Sequence, residues 1–517
     1  MISNLHLQKK PFVTPSCLLW FLFSITILYA QEITKGPFLT DPTSNSMTIR
    51  WESDSNLDYK LNYGEKESLN KTLDTEQIGE NSGRFLYQTK IKYLKAGTEY
   101  SYQIEVNSSK LGVHSFKTAP KSDSPISFVA MGDSRSNPEI FAVLNKQIDQ
   151  MGPDFIISMG DLVASGGNYD QWGEYYFGPA ANVIDHIPLI SCLGDHEGDG
   201  DNGELFRNFL FPDLNFTKLW FSFDYGPAHF VSLDYRYPES DEMINWFKDD
   251  MEKSTRKWNF VYMHRPCYDL GGHRSHWGNP TWPELFRKYK IDIVFAGHSH
   301  LYERFYPVRP ADEPESWPVT YITTGGAGAG LYDVQKSDFL AESRSAHHFT
   351  FINISGNKLE FKAILNSGEV FDHFEMIKKN GVYTQSYLNS IKSQEQLDLA
   401  NMFARAISFS LGQIPLQEHP ATVNITLERG SINEPVYFKV SLTPESEKYF
   451  QMESFEDSLT SADKKNIQLK IYSLTDLQIS GWGDIYPELS LMVNFKVAHD
   501  ENQTLGKLID YWPDEGY

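Results

Sequence analysis

Two histidines separated by one serine, in the segment FAGHSH (295–300), directly follow an apolar stretch of the chain. Asp, Glu or His residues stand in the same position, just after an apolar stretch, at four further points. The full set is Asp133, Asp161, Asp195, His196, Glu197, His264, His298 and His300. Carboxylate oxygens and imidazole nitrogens are the ligands that borderline divalent metals prefer. Singly, each is an ordinary polar residue at a strand end, but the repeated placement favours a site for two metal ions that share a bridging aspartate.

A pair of metal ions at such a site would activate water and hold a phosphoryl group for in-line displacement.

The composition limits the other partners of the chain. Its formal net charge is -22, which argues against a nucleic-acid-binding surface and against simple attraction to anionic lipid. An anionic substrate would therefore need a local cluster of metal or arginine that reverses the field.

The elements around these residues predict an α/β fold. Five short, nearly continuous apolar runs precede the candidate ligands: ISFVAMGD, DFIISMGD, IPLISCLGDH, KWNFVYMHRP and IDIVFAGHSH. Helical patterns at 138–151, 240–251 and 281–290 lie between them. Apolar strands that alternate with helices indicate a sheet buried on both faces. Ligand sites in such sheets lie outside the carboxyl ends of the strands, so the five strands would bring their polar residues to one rim.

The flanking regions differ from this pattern. Alternating apolar and polar residues over 31–122 predict an all-β sandwich, with Trp51 as the buried aromatic residue of its core. Residues 378–517 begin with one or two helical stretches and continue with β-like runs, which indicate a β-rich accessory domain. The α/β domain between them is predicted to occupy 125–377.

The ordered motifs resemble those of the metallophosphoesterase superfamily, D…GD…GNH[DE]…H…GHxH. In this chain they are Asp133, GDLV (160–163), GDHE (194–197), His264 and GHSH (297–300). The segments GHSHLYERFYP, TYITTGGAGAG and GPAHFVSLD look like the purple acid phosphatase-like branch, which carries a fibronectin type III-like domain at its N-terminus. The resemblance implies a four-layer α/β sandwich for the central domain and a fibronectin type III-like fold for the first domain.

The resemblance also implies roles for individual residues. Two divalent ions (Fe, Mn or Zn) would be bound, with Asp161 as the bridge. The first ion would take Asp133, Asp161 and His300, and the second would be completed by Asp195, His264 and His298. His196 would protonate the leaving oxygen. In the loop after His264, His273 and His276 are candidate substrate contacts, with ordinary loop histidines as the alternative.

Two residues near the first metal depart from the family pattern. Ala164 stands where purple enzymes have a metal-binding Tyr, so the sequence predicts no charge-transfer colour and a weaker hold on ferric iron. Arg135 stands where many relatives have His. Because Arg is always protonated, it cannot be a ligand, but it could grip a phosphate oxygen by a bidentate contact. The alternative is a surface Arg in a loop.

The third departure is Asp195, where the family has Asn. Both side chains offer an oxygen at the same reach, but Asp adds a negative charge. We expect this charge to tighten divalent metal binding, to soften the Lewis acidity of the metal and to repel an anionic substrate.

The first 30 residues predict a secretory signal. Lys9 and Lys10 precede the apolar segment CLLWFLFSITILYA (17–30), and Ala30 is a plausible cleavage point. A retained membrane anchor is the alternative, although the apolar segment is short for a membrane span. The mature chain would be secreted or periplasmic, with no membrane span after cleavage. Its two cysteines, Cys192 and Cys267, could pair or stay free, and free thiols are favoured.

The hypothesis that follows is an exported dinuclear-metal phosphohydrolase, foremost a phosphomonoesterase of acid phosphatase type acting on a small phosphate ester. It would use a metal-bound hydroxide as nucleophile and His196 as general acid. A phosphodiesterase or nucleotidase on the same site is one alternative. A metal-bearing binding protein without catalysis is the other. The sequence does not predict the oligomeric state.

Overall fold

The structure, a computed structural model, describes residues 33–212, 214, 218–335, 337–406, 420–428, 435–444, 446–460, 464–474, 489–497 and 505–511. The predicted signal segment, 1–30, lies outside these residues.

Eight N-terminal strands form two four-stranded sheets, with strand orders β1-β2-β6-β5 and β4-β3-β7-β8. The strands are β1 (Ile33–Thr40), β2 (Ser46–Ser53), β3 (Tyr59–Glu65), β4 (Lys71–Asp74), β5 (Glu76–Asn81), β6 (Arg84–Lys92), β7 (Glu99–Val106) and β8 (Ser109–Lys117). Trp51 is buried in the core that the two sheets share, with its ring 5.7 Å from Tyr59 and 5.9 Å from Tyr87. The predicted all-β domain and its buried tryptophan are therefore confirmed.

A buried ion pair joins this sandwich to the α/β region. Lys35 Nζ lies 2.7 Å from Glu52 Oε1, and both side chains are almost fully buried. The Tyr169 hydroxyl, from the α/β region, donates to the same carboxylate, and Lys35 Nζ lies 3.8 Å from the Tyr169 ring centroid. Two buried charges are thus paired with each other and hydrogen-bonded across the junction.

The central region contains two seven-stranded sheets, with strand orders β11-β10-β9-β20-β21-β22-β23 and β12-β13-β14-β15-β18-β16-β19. The strands are β9 (Ile126–Met131), β10 (Phe155–Ser158), β11 (Leu189–Ser191), β12 (Phe221–Tyr225), β13 (Ala228–Ser232), β14 (Trp258–Met263), β15 (Ile293–Ala296), β16 (Tyr302–Phe305), β17 (Val308–Arg309), β18 (Thr320–Thr324), β19 (Leu340–Arg344), β20 (His348–Ser355), β21 (Lys358–Leu365), β22 (Val370–Lys379), β23 (Val382–Tyr383) and β24 (Lys392–Ser393). Strands β9, β10 and β11 are mutually parallel, as are β13, β14, β15 and β18.

Helices lie on the outer faces of the sheets, apart from Gln385–Leu388, which places Tyr387 in the core between them. They are α1 (Pro138–Met151), α2 (Tyr169–Gln171), α3 (Gly178–Ile184), α4 (Glu204–Leu210), α5 (Asp241–Lys253), α6 (Thr281–Lys288), α7 (Gln385–Leu388) and α8 (Gln394–Ala406), with a π-helical segment at Trp172–Phe177. Helix α1 begins where the Asn137 side chain accepts from the Ile140 N–H at 3.3 Å, and it ends at Gly152, which is left-handed (φ 59°). These caps satisfy groups that a helix leaves unbonded at its ends.

Successive residues of β9 enter different cores, which is why this strand reads as a continuous apolar run. Phe128 and Ala130 lie in the core between the two sheets, whereas Val129 and Met131 belong to the core beneath α1 and α3. The second sheet packs in the same way against α5, α6 and α8. The order is therefore helix, sheet, sheet, helix, which confirms the predicted four-layer sandwich.

Two further sheets form the described part of the C-terminal region, with strand orders β25-β29-β27 and β28-β26-β30-β31. The strands are β25 (Ala421–Glu428), β26 (Val436–Leu442), β27 (Phe450–Met452), β28 (Phe455–Leu459), β29 (Lys464–Ser473), β30 (Leu489–Val497) and β31 (Leu505–Tyr511), with a 3₁₀ turn at Ser446–Lys448. The region is β-rich, as predicted. The exact domain boundaries stay a prediction.

The two cysteines of the α/β region, Cys192 and Cys267, are both buried and free. Burial raises the pKa of both thiols well above the usual range. Free thiols, the alternative that the sequence favoured, are what the structure contains.

Phe128 tests the core between the sheets, because its ring centroid lies 5.4 Å from that of Phe155 in the same sheet and 5.1 Å from that of Phe230 in the facing sheet. Phe128→Ala is expected to lower the free energy of unfolding by about 3–5 kcal/mol, since the cavity cannot close between two rigid layers. Urea denaturation would measure the loss, with Phe128→Leu as the milder control. A loss below about 1 kcal/mol for the alanine variant would contradict this description of the core.

Candidate metal centre

Every candidate ligand lies where a central strand ends. Asp133, Asp161 and Asp195 follow β9, β10 and β11 of one sheet, whereas His264 follows β14 and His298 and His300 follow β15 of the other. The parallel strands of each sheet end at one edge, and the two edges face each other across the central core. The structure thus brings all six residues to one rim.

Three of them converge as the resemblance implies for a second metal. One ligand atom from each of Asp195, His264 and His298 lies within 4.8 Å of the others. His298 Nδ1 lies 3.1 Å from Asp195 Oδ2, and His264 Nε2 lies 3.8 Å from the same oxygen. Asp161 Oδ1 adjoins this group at 3.5 Å from His264 Nε2, which suits a shared carboxylate.

The first set is arranged differently in detail. Asp133 and Asp161 form their closest group with His264, within the same 4.8 Å limit. His300 Nε2 lies 3.7 Å from Asp133 Oδ1 and accepts from Arg135 Nη2 at 3.4 Å. His300 therefore borders Asp133, as the resemblance implies, but the Arg135 guanidinium lies beside Nε2, the nitrogen that would bind the metal.

Strained backbone holds three of these residues in place. Asp133, Asp161 and His298 have φ angles of 61°, 56° and 67°, in the left-handed region that non-glycine residues seldom adopt. Such strain costs about 1–3 kcal/mol per residue and concentrates at functional sites. The glycines of the motifs give the carboxylates room: a Cβ on Gly194 would lie 2.4 Å from Asp161 Oδ1, and one on Gly297 would lie 2.4 Å from Asp133 Oδ2.

The imidazoles are prepared for metal binding. His264 Nδ1 donates to the Met159 carbonyl and His300 Nδ1 donates to the Gly330 carbonyl, each at 2.7 Å, so the tautomer leaves Nε2 as the lone-pair nitrogen. Burial lowers the pKa of His264, and it lowers that of His300 to about 4, which favours the neutral form that metals bind. His264 Nε2 is buried and has no hydrogen-bond partner among the residues that the structure describes. This orphaned nitrogen among carboxylates fits a divalent cation.

The carboxylates are also crowded. Burial raises the pKa of Asp133 well above its usual range, and the charge of Asp161 raises it further. Behind them, the buried Glu197 carboxylate accepts the N–H groups of Asp161 at 2.9 Å and of Gly194 at 2.7 Å, which joins the two motif loops. Burial raises the pKa of Glu197 to about 8, with the charge of Asp161 as a second cause.

The two predicted catalytic residues border the ligands. His196 donates its N–H to Asp161 Oδ1 at 3.0 Å and its Nδ1–H to the Ala164 carbonyl at 2.7 Å. Its Nε2 is then left 3.8 Å from Asp161 Oδ2, on a ring that is about one-third exposed. Arg135 Nε donates to Asp161 Oδ2 at 3.3 Å, so its guanidinium lies beside the candidate ligands, and its contact with phosphate stays a prediction.

Of the two predicted substrate contacts, His273 lies at the ligands. Its ring stacks on that of His298 at 4.1 Å, and Tyr332 Oη lies 3.1 Å from its Nε2. Burial lowers the pKa of His273 to about 4, and the neighbouring His298 adds to this effect. His276 is exposed and belongs to neither ligand group. Tyr332, which also stacks on His300 at 4.5 Å, was missed because nothing in its Gly-rich segment marks it.

Arg265 is the second residue that the sequence did not reveal. Its Nε donates to Asp195 Oδ1 at 3.0 Å and its Nη2 donates to Asp195 Oδ2 at 2.9 Å. Burial acts to raise the pKa of Asp195, but the hydrogen bonds from His298 and Arg265 outweigh it and hold the pKa well below its usual range. Asp195 is therefore ionised, as its predicted role requires.

Comparison with known proteins agrees with this site. A family model described as calcineurin-like phosphoesterase matches residues 126–302. Purple acid phosphatase 21 of Arabidopsis thaliana is 30% identical over a match that covers 48% of this chain and 59% of the relative. Acid phosphatase type 7 of Danio rerio is 22% identical, covering 65% of this chain and 89% of the relative. Another Arabidopsis thaliana relative, 24% identical over 43% of each chain, is named probable inactive purple acid phosphatase 24.

The fold has a counterpart among solved structures. A purple acid phosphatase from the seeds of yellow lupin (Lupinus luteus) superposes with a TM-score of 0.57 at 18% identity, covering 70% of this chain and 75% of that one. This likeness concerns the fold alone. Together with the family model and the relatives, it confirms the resemblance that the motifs indicated.

His264→Ala and His298→Ala are expected to lose bound metal and all turnover while staying folded, because each removes a nitrogen from the ligand cluster. Metal analysis of dialysed protein and circular dichroism would measure the two effects. His186→Ala is the matched control, since His186 bonds to Asp185, away from the cluster. Wild-type metal content or turnover in either variant would contradict the assignment of that histidine as a metal ligand.

Proposed function

We propose that the chain is a metal-dependent phosphoric ester hydrolase of acid phosphatase type, on the premise that residues 126–302 match the calcineurin-like phosphoesterase family. One observation carries the proposal. The buried, unpartnered Nε2 of His264 stands where carboxylates and imidazoles from two sheets converge. Structural ion pairs do not leave a fixed imidazole nitrogen without a partner, whereas a metal ligand does so until the ion binds.

Two divalent ions would be held at this rim. Asp133, Asp161 and His300 are the proposed ligands of the first, and Asp161, Asp195, His264 and His298 those of the second. Carboxylate and imidazole ligands suit Zn, Mn or Fe. Bound there, the ions would supply Lewis acidity and an activated water for in-line displacement at phosphorus.

The residues beside the ligands have separate tasks. Arg135 would orient the phosphate, because its guanidinium, which contacts Asp161 through Nε, has further N–H groups for an oxygen anion. His196 would give a proton to the leaving oxygen. Its Nδ1–H is fixed on the Ala164 carbonyl, so the proton to be transferred must sit on Nε2, the nitrogen nearer the ligands. His273, stacked on His298, would border the bound ester.

Charge favours a monoester substrate. Three aspartates and the guanidinium groups of Arg135 and Arg265 leave one net negative charge when the ligand imidazoles are neutral. Two divalent ions would turn this into three positive charges in a protein that is otherwise acidic. Such a centre matches the dianion of a small phosphomonoester better than the monoanion of a diester.

Export and domain roles complete the proposal. We propose that residues 1–30 direct secretion or periplasmic export and that residues 31–122 form a fibronectin type III-like domain. Among the described residues, none of the helices combines the length and the apolarity that a membrane crossing needs. The sheet pairing of the first eight strands supports the fibronectin type III-like assignment.

The decisive assay compares p-nitrophenyl phosphate with bis(p-nitrophenyl) phosphate on one metal-loaded preparation. We expect kcat/KM to be at least about tenfold higher for the monoester. Arg135→Gln should raise KM for the monoester more than for the diester, since it removes a contact to the second phosphate charge. Preference for the diester would support the phosphodiesterase alternative, and no turnover of either ester with metal bound would support a binding protein.

The protein loaded with ferric iron is expected to lack a strong visible absorption band, because Ala164 cannot supply a phenolate. The nearby Tyr332 is poorly placed as a substitute. Burial raises its pKa, and its hydroxyl bonds to His273. A visible spectrum at full iron loading tests this, and an intense band that Tyr332→Phe abolishes would show that Tyr332 is a ligand after all.

A further inference from the structure

Asp195 is the one residue of the second metal set whose charge differs from that of the family residue at the same position. An aspartate in place of the family's asparagine adds one negative charge to the second metal set, and the sequence therefore predicts tighter metal binding and repulsion of anionic substrate. In the structure this carboxylate is not alone. Arg265 binds it through Nε and Nη2, with contacts of 3.0, 3.2 and 2.9 Å.

Both members of the Arg265–Asp195 pair make further contacts with neighbouring side chains. The Arg265 guanidinium carbon lies 5.2 Å from the centroid of the Tyr235 ring, and this ring meets that of His264 edge-on at 5.8 Å. On the other side, Asp195 Oδ2 contacts His298 Nδ1 at 3.1 Å. A cation over an aromatic face and a two-pronged carboxylate contact both fix the orientation of the guanidinium.

The contact leaves the carboxylate able to bind a metal. An ionised carboxylate has about four lone-pair sites, and Arg265 uses at most three of them. Arg265 donates only two N–H groups here, and the shorter contact of each goes to a different oxygen, Nε–H to Oδ1 at 3.0 Å and Nη2–H to Oδ2 at 2.9 Å. Each oxygen therefore keeps a second lone pair, and that of Oδ2 adjoins His264 Nε2 and His298 Nδ1.

We propose that Arg265 is a positioning residue that cancels the charge of Asp195, so that the pair serves the second metal as a neutral asparagine would. The inference rests on the proposed metal centre and deepens it. It explains how a chain with aspartate at this position can keep the net charge that a phosphate dianion requires. It also assigns Arg265 to ligand charge compensation and leaves Arg135 as the guanidinium for substrate.

A double-mutant cycle tests the proposal with wild type, Asp195→Asn, Arg265→Gln and the double variant. Isothermal titration of the metal-free proteins with Zn²⁺ and of the Zn²⁺-loaded proteins with inorganic phosphate gives two affinities for each. Asp195→Asn leaves an extra positive charge and should weaken the weaker Zn²⁺ site and tighten phosphate binding. Arg265→Gln leaves an extra negative charge and should do the opposite. Each change should be about tenfold or more, given the contact distance.

The double variant should return both affinities to within about threefold of wild type, because it removes the two charges together. Arg256→Gln is the matched control: it breaks a similar Arg–Asp pair, 3.0 Å from Asp224, at the opposite end of the sheet, and should change neither affinity. Single variants that shift the Zn²⁺ affinity in the same direction, or a double variant with the sum of two losses, would overturn the proposal. Neither readout uses turnover, so an inactive wild type would refute the proposed hydrolase and leave the cycle interpretable.

Discussion

Asp133 and Asp161 lie side by side in the interior of the protein, and the repulsion between these buried carboxylates constrains what is built around them. Two anions at such a distance from water require hydrogen-bond donors or cations. The backbone supplies part of the compensation, through the N–H of His298 on Asp133 at 2.9 Å and the N–H of His196 on Asp161 at 3.0 Å. Arg135 supplies one positive charge, and the donor set of the cluster fits divalent metal ions, which would complete the compensation. Both aspartates also have left-handed backbone, with φ angles of 61° and 56°, a conformation that concentrates at functional sites.

The rest of the fold keeps this arrangement in place. The loop between His264 and α6 carries Arg265 and His273, and it is held from outside by α8 in the C-terminal region. Asn401 Oδ1 accepts the Asp269 N–H at 3.0 Å, and Asp398 Oδ1 accepts the Tyr268 hydroxyl at 2.7 Å. The helix packs into the same core as α5 and α6. A segment without ligands of its own thus shapes the rim of the site.

Local sequence patterns were sufficient to predict many of the helices and strands of the central region. Helix α1 occupies the predicted residues 138–151 because its apolar residues repeat at helical spacing and because its caps, Asn137 and Gly152, stand directly at its two ends. The central strands were found because burial on both faces makes them uniformly apolar. The alternation of apolar and polar residues does not locate strands β4 and β5, since their side chains are mostly exposed and show no such alternation. The ligand positions followed from strand ends and from the family resemblance. The pairing of Arg265 with Asp195 could not be predicted, because it joins residues 70 positions apart in loops that follow strands of different sheets. The placement of His264 near both metal sets likewise depends on how the two sheets face each other.

The central claim is that this rim holds two divalent ions, and anomalous X-ray scattering at the zinc edge tests it most directly. Crystals grown with Zn²⁺ should show two anomalous peaks, one contacted by Asp133, Asp161 and His300, and the other by Asp161, Asp195, His264 and His298. A single peak, with the Arg135 guanidinium in place of the first ion, would contradict the dinuclear account. Absence of any peak at the cluster would contradict the metal centre itself.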